Sequence, residues 1–123
     1  MATEVYKLLM FVKRRSDLST AEFRRQFEMR YVPLCMKYMR GADRYFRRYI
    51  EALPDPVTGA SVEPEFDVLT EVWFHDRAVY EAAMTYPGNG FLPAEVIAEE
   101  FRLFDRAKTR TCMVAECESD LTE

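Results

Sequence analysis

The chain specifies an α+β fold of the split βαβ, ferredoxin-like kind: one four-stranded antiparallel sheet with helices on one face. Three observations predict it. The periodic segments run β, α, β, β, α, α, β with no internal repeat. The helical patterns follow strands, and one strand-to-strand hairpin lies in the middle. The strands carry apolar residues on both faces, so a second subunit is expected to cover the face that the helices leave open. A homodimer with sheets packed face to face is the predicted assembly.

Residues 4 to 13 form the first predicted strand, short and rich in aromatic and aliphatic side chains, with Tyr6, Leu8, Met10 and Val12 on one face and Lys7, Leu9, Phe11 and Lys13 on the other. Ser19 precedes Glu22 by three residues, the spacing of a capping box that starts a helix. Along that helix Phe23, Phe27, Tyr31, Leu34 and Tyr38 recur at spacings of three or four and make an apolar stripe. Pro33 interrupts the stripe; without an amide hydrogen it is expected to kink the helix or end its first segment near Tyr31 or Val32. Gly41 is the expected stop.

The second strand is predicted over 43–51, with Arg44, Phe46, Arg48 and Ile50 alternating against Tyr45, Arg47 and Tyr49. Three prolines and a glycine between Leu53 and Pro64 read as an irregular loop. Phe66 to Phe74 makes the third strand. Asp76 can cap a short helix containing Val79, Tyr80, Ala83 and Met84, which the Tyr86-Pro-Gly-Asn-Gly90 segment breaks. Pro93 suits the first turn of a further helix whose buried stripe is expected to be Val96, Ile97, Phe101 and Phe104. Residues 109 to 117 give the last strand, and residues 118–123 are expected to fray.

Length and composition set outer limits on function. The 123 residues, 49% apolar and 31% charged, fit a single globular domain over 1–123 with one core. No apolar run reaches the roughly 20 residues needed to cross a bilayer, and no secretory leader pattern opens the chain, so no membrane role and a cytoplasmic location are the expectations. Cys35, Cys112 and Cys117 are too few for a disulfide framework and are not spaced as a metal knuckle; reduced thiols and no metal site follow. A net charge of −4 argues against nucleic acid as a partner. The charge is divided, however: residues 1–50 carry +7 and residues 51–123 carry −11. Either the two halves face each other, or Arg40, Arg44, Arg47 and Arg48 receive an acidic ligand.

His75 is the single histidine, placed at a strand-to-helix junction behind Trp73 and Phe74. It is the one side chain here whose ordinary pKa lies near neutrality, which makes it the candidate acid or base; the alternative is a partly exposed ring bonded to Asp76 or solvent. Tyr31 on the helix stripe and Tyr6 on the first strand are candidate hydrogen-bond donors to a developing enolate, or else core tyrosines with locally satisfied hydroxyls. Arg47 could grip a carboxylate with two parallel hydrogen bonds, or pair with an acid such as Glu71. Phe11, Phe27, Trp73 and Tyr80 are candidate walls of an apolar pocket. Phosphate loops, dinucleotide fingerprints, serine-hydrolase elbows and the His-Glu-x-x-His motif are absent from the sequence.

The segments Lys7-Leu-Leu-Met-Phe-Val-Lys-Arg-Arg15, Leu18-Ser-Thr-Ala-Glu-Phe-Arg-Arg-Gln-Phe27 leading to Tyr31-Val-Pro-Leu34, and Phe66-Asp-Val-Leu-Thr-Glu-Val-Trp-Phe74 resemble EthD-domain proteins of the dimeric α/β-barrel superfamily. The family commonly carries a tryptophan and a histidine where this chain has Phe27 and Tyr31. The resemblance implies a cofactor-free pocket between sheet and helices of each subunit. Relatives in the wider superfamily isomerise muconolactones, cyclise or decarboxylate polyketides, or oxidise quinols without metal or flavin. The expected function is therefore a cofactor-independent lyase, isomerase, cyclase or decarboxylase working by acid-base chemistry on a small aromatic or polyketide-like substrate. The alternative is a non-catalytic binding or accessory protein of a degradation or biosynthesis pathway.

Overall fold

The computed structural model describes residues 5–82 and 93–122. Strands β1 (Tyr6–Val12), β2 (Ala42–Tyr49), β3 (Val68–Phe74) and β4 (Arg110–Met113) form one sheet in the order β2-β3-β1-β4. Every pairing is antiparallel, as the split βαβ pattern requires. Helix α1 (Thr20–Gln26) continues through a π-helical turn (Phe27–Tyr31) into α2 (Val32–Met36). Residues 77–82 are helical (α3), and α4 (Ala94–Leu103) completes the helical layer. The expected positions of Ala83 and Met84, and the expected break over 86–90, lie outside the described residues.

Ser19 caps α1 as its spacing predicts, its hydroxyl accepting from the Glu22 amide at 3.1 Å. The helix continues past Pro33, its first α-helical segment giving way to a π-helical stretch that ends at Tyr31. The turn before Pro33 widens, with the Val32 amide bonded to the Phe27 carbonyl five residues back. That widening keeps Phe23, Phe27 and Tyr31 facing the sheet while the chain passes an imino acid that cannot donate. The helix ends at Met36, ahead of the expected stop at Gly41; Gly41 lies in the turn before β2 with φ +82°, and a Cβ there would meet Val79 Cγ1 at 2.8 Å, so both backbone and space demand glycine.

Alternation divides the sheet cleanly. Tyr6, Leu8, Met10 and Val12 face the helices, opposite Phe74, Val72, Thr70 and Val68 of β3. The other face carries Leu9, Phe11, Phe46, Leu69 and Trp73, with Phe66 packed on Phe11 and Phe46 on Trp73. The main core lies between sheet and helices, where Phe23, Phe27, Tyr31 and Phe104 form an aromatic cluster closed by Val12, Val68 and Leu103.

Two elements differ from expectation. The last strand stops at Met113 rather than 117, because beyond it the contact with β1 passes to side chains, Lys7 Nζ meeting Glu116 at 2.7 Å. In α4 the buried stripe is Val96, Glu100 and Leu103, a spacing of four and three, whereas Phe101 points outward with 59% exposure beneath the Arg106 guanidinium. The apolar residue was turned out and a carboxylate turned in.

Candidate functional site

The helical layer does not reach the whole sheet. Where α2, α3 and α4 diverge, a cavity of about 1050 Å³ opens between them and the inner faces of β1, β3 and β4. Its floor is apolar, built from Leu8, Met10, Val72 and Phe74, with Thr70 between them. Strand alternation alone delivers these side chains to one face.

Polar groups enter this apolar space from the helices. Tyr31 donates its hydroxyl to Glu100 Oε2 at 2.8 Å, and Arg106 Nε lies 3.2 Å from Glu100 Oε1, so each carboxylate oxygen has its own partner. Glu100 is 7% exposed and Tyr31 3%. Burial pushes the Glu100 carboxyl above its ordinary value; the Tyr31 hydroxyl and the Arg106 cation pull it back without cancelling the rise. Burial likewise drives the Tyr31 hydroxyl well above 10, helped by the nearby Cys35 and Glu100. Cys35, one turn further along the helix, is pushed up to about 11 by burial, which makes it a thiol and no nucleophile at neutral pH. Tyr45 enters from β2, and burial raises its hydroxyl too. The site therefore holds one acid of raised pKa among phenols that stay protonated.

Of the residues singled out from sequence for the site, Tyr31 and Arg40 are among the described residues lining this cavity. His75 sits at the sheet's edge with its side chain 45% exposed, its backbone amide and Nδ1 both held by Asp43 Oδ2. Asp43 is the extra residue of a bulge between Ala42 and Arg44, and the bulge aims its carboxylate at His75. Tyr6 stacks on Tyr80 at 5.1 Å, and Tyr80 is buried against Phe74 in a secondary cluster. Phe27 is wholly buried in the main core. Phe11 and Trp73 lie on the outer sheet face, Trp73 bonded to Glu71 through its indole N–H at 2.6 Å. Arg47 is on the inner face but at its edge, gripped through Nε and Nη2 by both oxygens of Glu28, which also accepts from Tyr49. Its neighbour Arg48 reaches Glu71 at 3.6 Å.

Glu100 is what the sequence reading passed over. Its signal was present: position 100 falls four residues after Val96 and three before Leu103, inside the apolar stripe of a helix, and a lone carboxylate there has to be buried or break the packing. Among the described residues no group of three His, Cys, Asp or Glu side chains is arranged to hold a metal ion, and no helix is long and apolar enough to cross a membrane.

The sign of the Glu100 shift gives a stability prediction. Its carboxyl binds a proton more tightly folded than unfolded, so its contribution to stability is complete below 4.5 and is lost as pH rises through the folded value. Glu100→Gln, which keeps the size and stays neutral, should match the native protein's thermal midpoint near pH 4, gain on it as pH rises from 4.5 through the folded value and then hold a constant lead, measured by circular dichroism melts. A gap that closes with rising pH would contradict the burial argument.

Comparison with known proteins agrees with this architecture. The EthD domain model matches residues 15–90. A crystal structure of an ethyl tert-butyl ether D (EthD) family protein of Bacillus halodurans C-125 superposes with a TM-score of 0.61 at 17% identity, covering 93% of this chain and 100% of that one. An Arabidopsis thaliana protein gives 0.59 at 9% identity, covering 94% and 99%. An EthD-like protein of Ralstonia eutropha JMP134 gives 0.54 at 16% identity, covering 99% and 96%. No curated protein sequence matches the chain. With a family model spanning more than half of its length, this chain belongs to the EthD domain family.

Proposed function

We propose that this protein is a cofactor-independent lyase or isomerase, in the group that also includes cyclases and decarboxylases, acting by proton transfer on a small aromatic or polyketide-like molecule. The observation that carries the proposal is the Glu100 carboxyl, buried at the wall of an apolar cavity with Tyr31 on one oxygen and Arg106 on the other. A desolvated carboxylate is a stronger base than one in water, and a pKa moved toward neutrality improves both halves of a proton shuttle.

In this reading Glu100, ionised, removes a proton from carbon next to a carbonyl. The electron pair moves to the carbonyl oxygen, and a neutral phenol in the same wall, Tyr45, donates a hydrogen bond to it. Glu100, now protonated, returns the proton to a second carbon. Tyr31 keeps the carboxyl oriented throughout. Proton transfer lies with Glu100 rather than His75, because Glu100 borders the enclosed space and His75 is committed to Asp43 in the open. Such a pair contributes roughly 10²- to 10⁴-fold from the base, which suffices for activated carbon acids.

A homodimer is part of the same reading. Leu9, Phe11, Phe46, Leu69 and Trp73 give the outer sheet face an apolar centre ringed by Lys7, Arg44 and Arg48, the arrangement of a face that another sheet covers. Sedimentation equilibrium should return twice the chain mass of 14.5 kDa, falling to one chain mass on Phe11→Glu; a monomer in the native protein would refute the pairing.

The chemistry can be tested without knowing the natural substrate. Proton NMR in deuterium oxide follows exchange at the acidic carbon of 2-tetralone and of related aryl ketones. The native protein should accelerate exchange, Glu100→Gln should lower that acceleration by about 100-fold or more, and His75→Ala should leave it intact. Binding of these ketones without any acceleration would make the protein a binding or accessory protein instead.

A further inference from the structure

Three cations and one acid are the charged side chains among the described residues lining the cavity. Glu100 and Arg106 are paired with each other. Lys37 and Arg40 are exposed and meet no carboxylate within ion-pair distance among the described residues. Glu95 on the facing helix accepts a hydrogen bond from Tyr38. Residues 83–92 contain no acidic side chain in sequence, so that segment cannot neutralise the two cations either. The rim of an otherwise apolar pocket thus carries two uncompensated positive charges.

Their position along the chain fixes what they can touch. Tyr31 and Cys35 line the inner cavity, and Lys37 and Arg40 line it from the turn that follows the helix end at Met36. The cavity floor is Met10, Val72 and Phe74, an apolar surface that suits an aromatic or fused-ring body.

We infer that the ligand of this cavity is an aromatic carboxylate, its carboxylate held by Lys37 and Arg40 at the rim while its ring system lies on the apolar floor with one edge at Glu100. The inference rests on the acid-base reading for what happens at that edge, but the head-group requirement stands on the rim charges alone. A guanidinium beside an ammonium offers both a forked pair of donors and a point charge, which suits a planar anion at a half-solvated rim. It also gives an acid orientation: with the anion anchored outside, only the far end of the ring system reaches the base. Arg47, the carboxylate receptor suggested by sequence, already has its carboxylate in Glu28, and Arg40 of the same basic half takes that part.

The test is isothermal titration of the full chain with benzoic, 2-naphthoic and 2-anthroic acids and with the matching carboxamides. The acids should bind at least about tenfold more tightly than the amides, as expected of charge-assisted hydrogen bonds. The preference should shrink as salt rises and should vanish in Lys37→Met/Arg40→Met, which leaves amide affinity unchanged. Equal binding of acid and amide, a preference that survives the double variant, or binding by no member of the series would overturn the inference. Failure of the acid-base reading would show elsewhere, as ketone exchange indifferent to Glu100→Gln with this head-group preference intact.

Discussion

The hydrogen bond between Tyr31 and Glu100 is the interaction on which the rest of this structure depends. It joins the π-helical turn to α4 across the core, and Arg106 extends it to the turn that leads into β4. Taking a carboxylate out of water costs several kcal/mol unless its oxygens are satisfied. Both oxygens are. An apolar residue at position 100 would pack against Val96, Leu103 and Phe104 with no such cost, so the polar trio is a local conflict that the fold tolerates, and conflicts of that kind gather at functional sites.

The widened turn before Pro33 belongs to the same constraint. It holds Phe27 and Tyr31 on the buried side and sends Cys35, Lys37 and Arg40 along the cavity wall. The outer sheet face contributes differently: its apolar centre leaves the inner face free of any duty but lining the cavity and filling the core. The outer face is apolar at its centre and the inner face lines the cavity, and the alternation of the strands keeps the two apart.

Much of the architecture is legible in the amino-acid order because it rests on local rules. The Ser19 cap, the Phe23-Phe27-Tyr31 stripe, the alternation of β2 and the proline-rich loop over 53–64 each follow from spacing within a few residues. The site is less legible because its members meet at long range. Glu100 becomes special only when α4 docks beside Tyr31, sixty-nine residues away. His75 drew attention through the chemistry of its side chain and its place at a strand-to-helix junction, whereas the bulge at Asp43 that fixes it in the open is a tertiary feature. Arg47 shows the same limit: its alternation was correct, yet its partner, Glu28, comes from a helix that sequence spacing does not place beside it. The strand that ends at Met113 shows a related one, since an edge strand stops where its neighbour ceases to pair and not where its own composition changes.

The central claim, that a single enclosed carboxyl of raised pKa governs this cavity, is tested most directly by carbon-13 NMR of protein labelled at the glutamate side-chain carboxyls. The resonance missing from Glu100→Gln should titrate clearly above 4.5 and move with added aromatic acid. If that resonance titrates at or below 4.5 and ignores the ligand, Glu100 is an ordinary solvated carboxylate and the account fails.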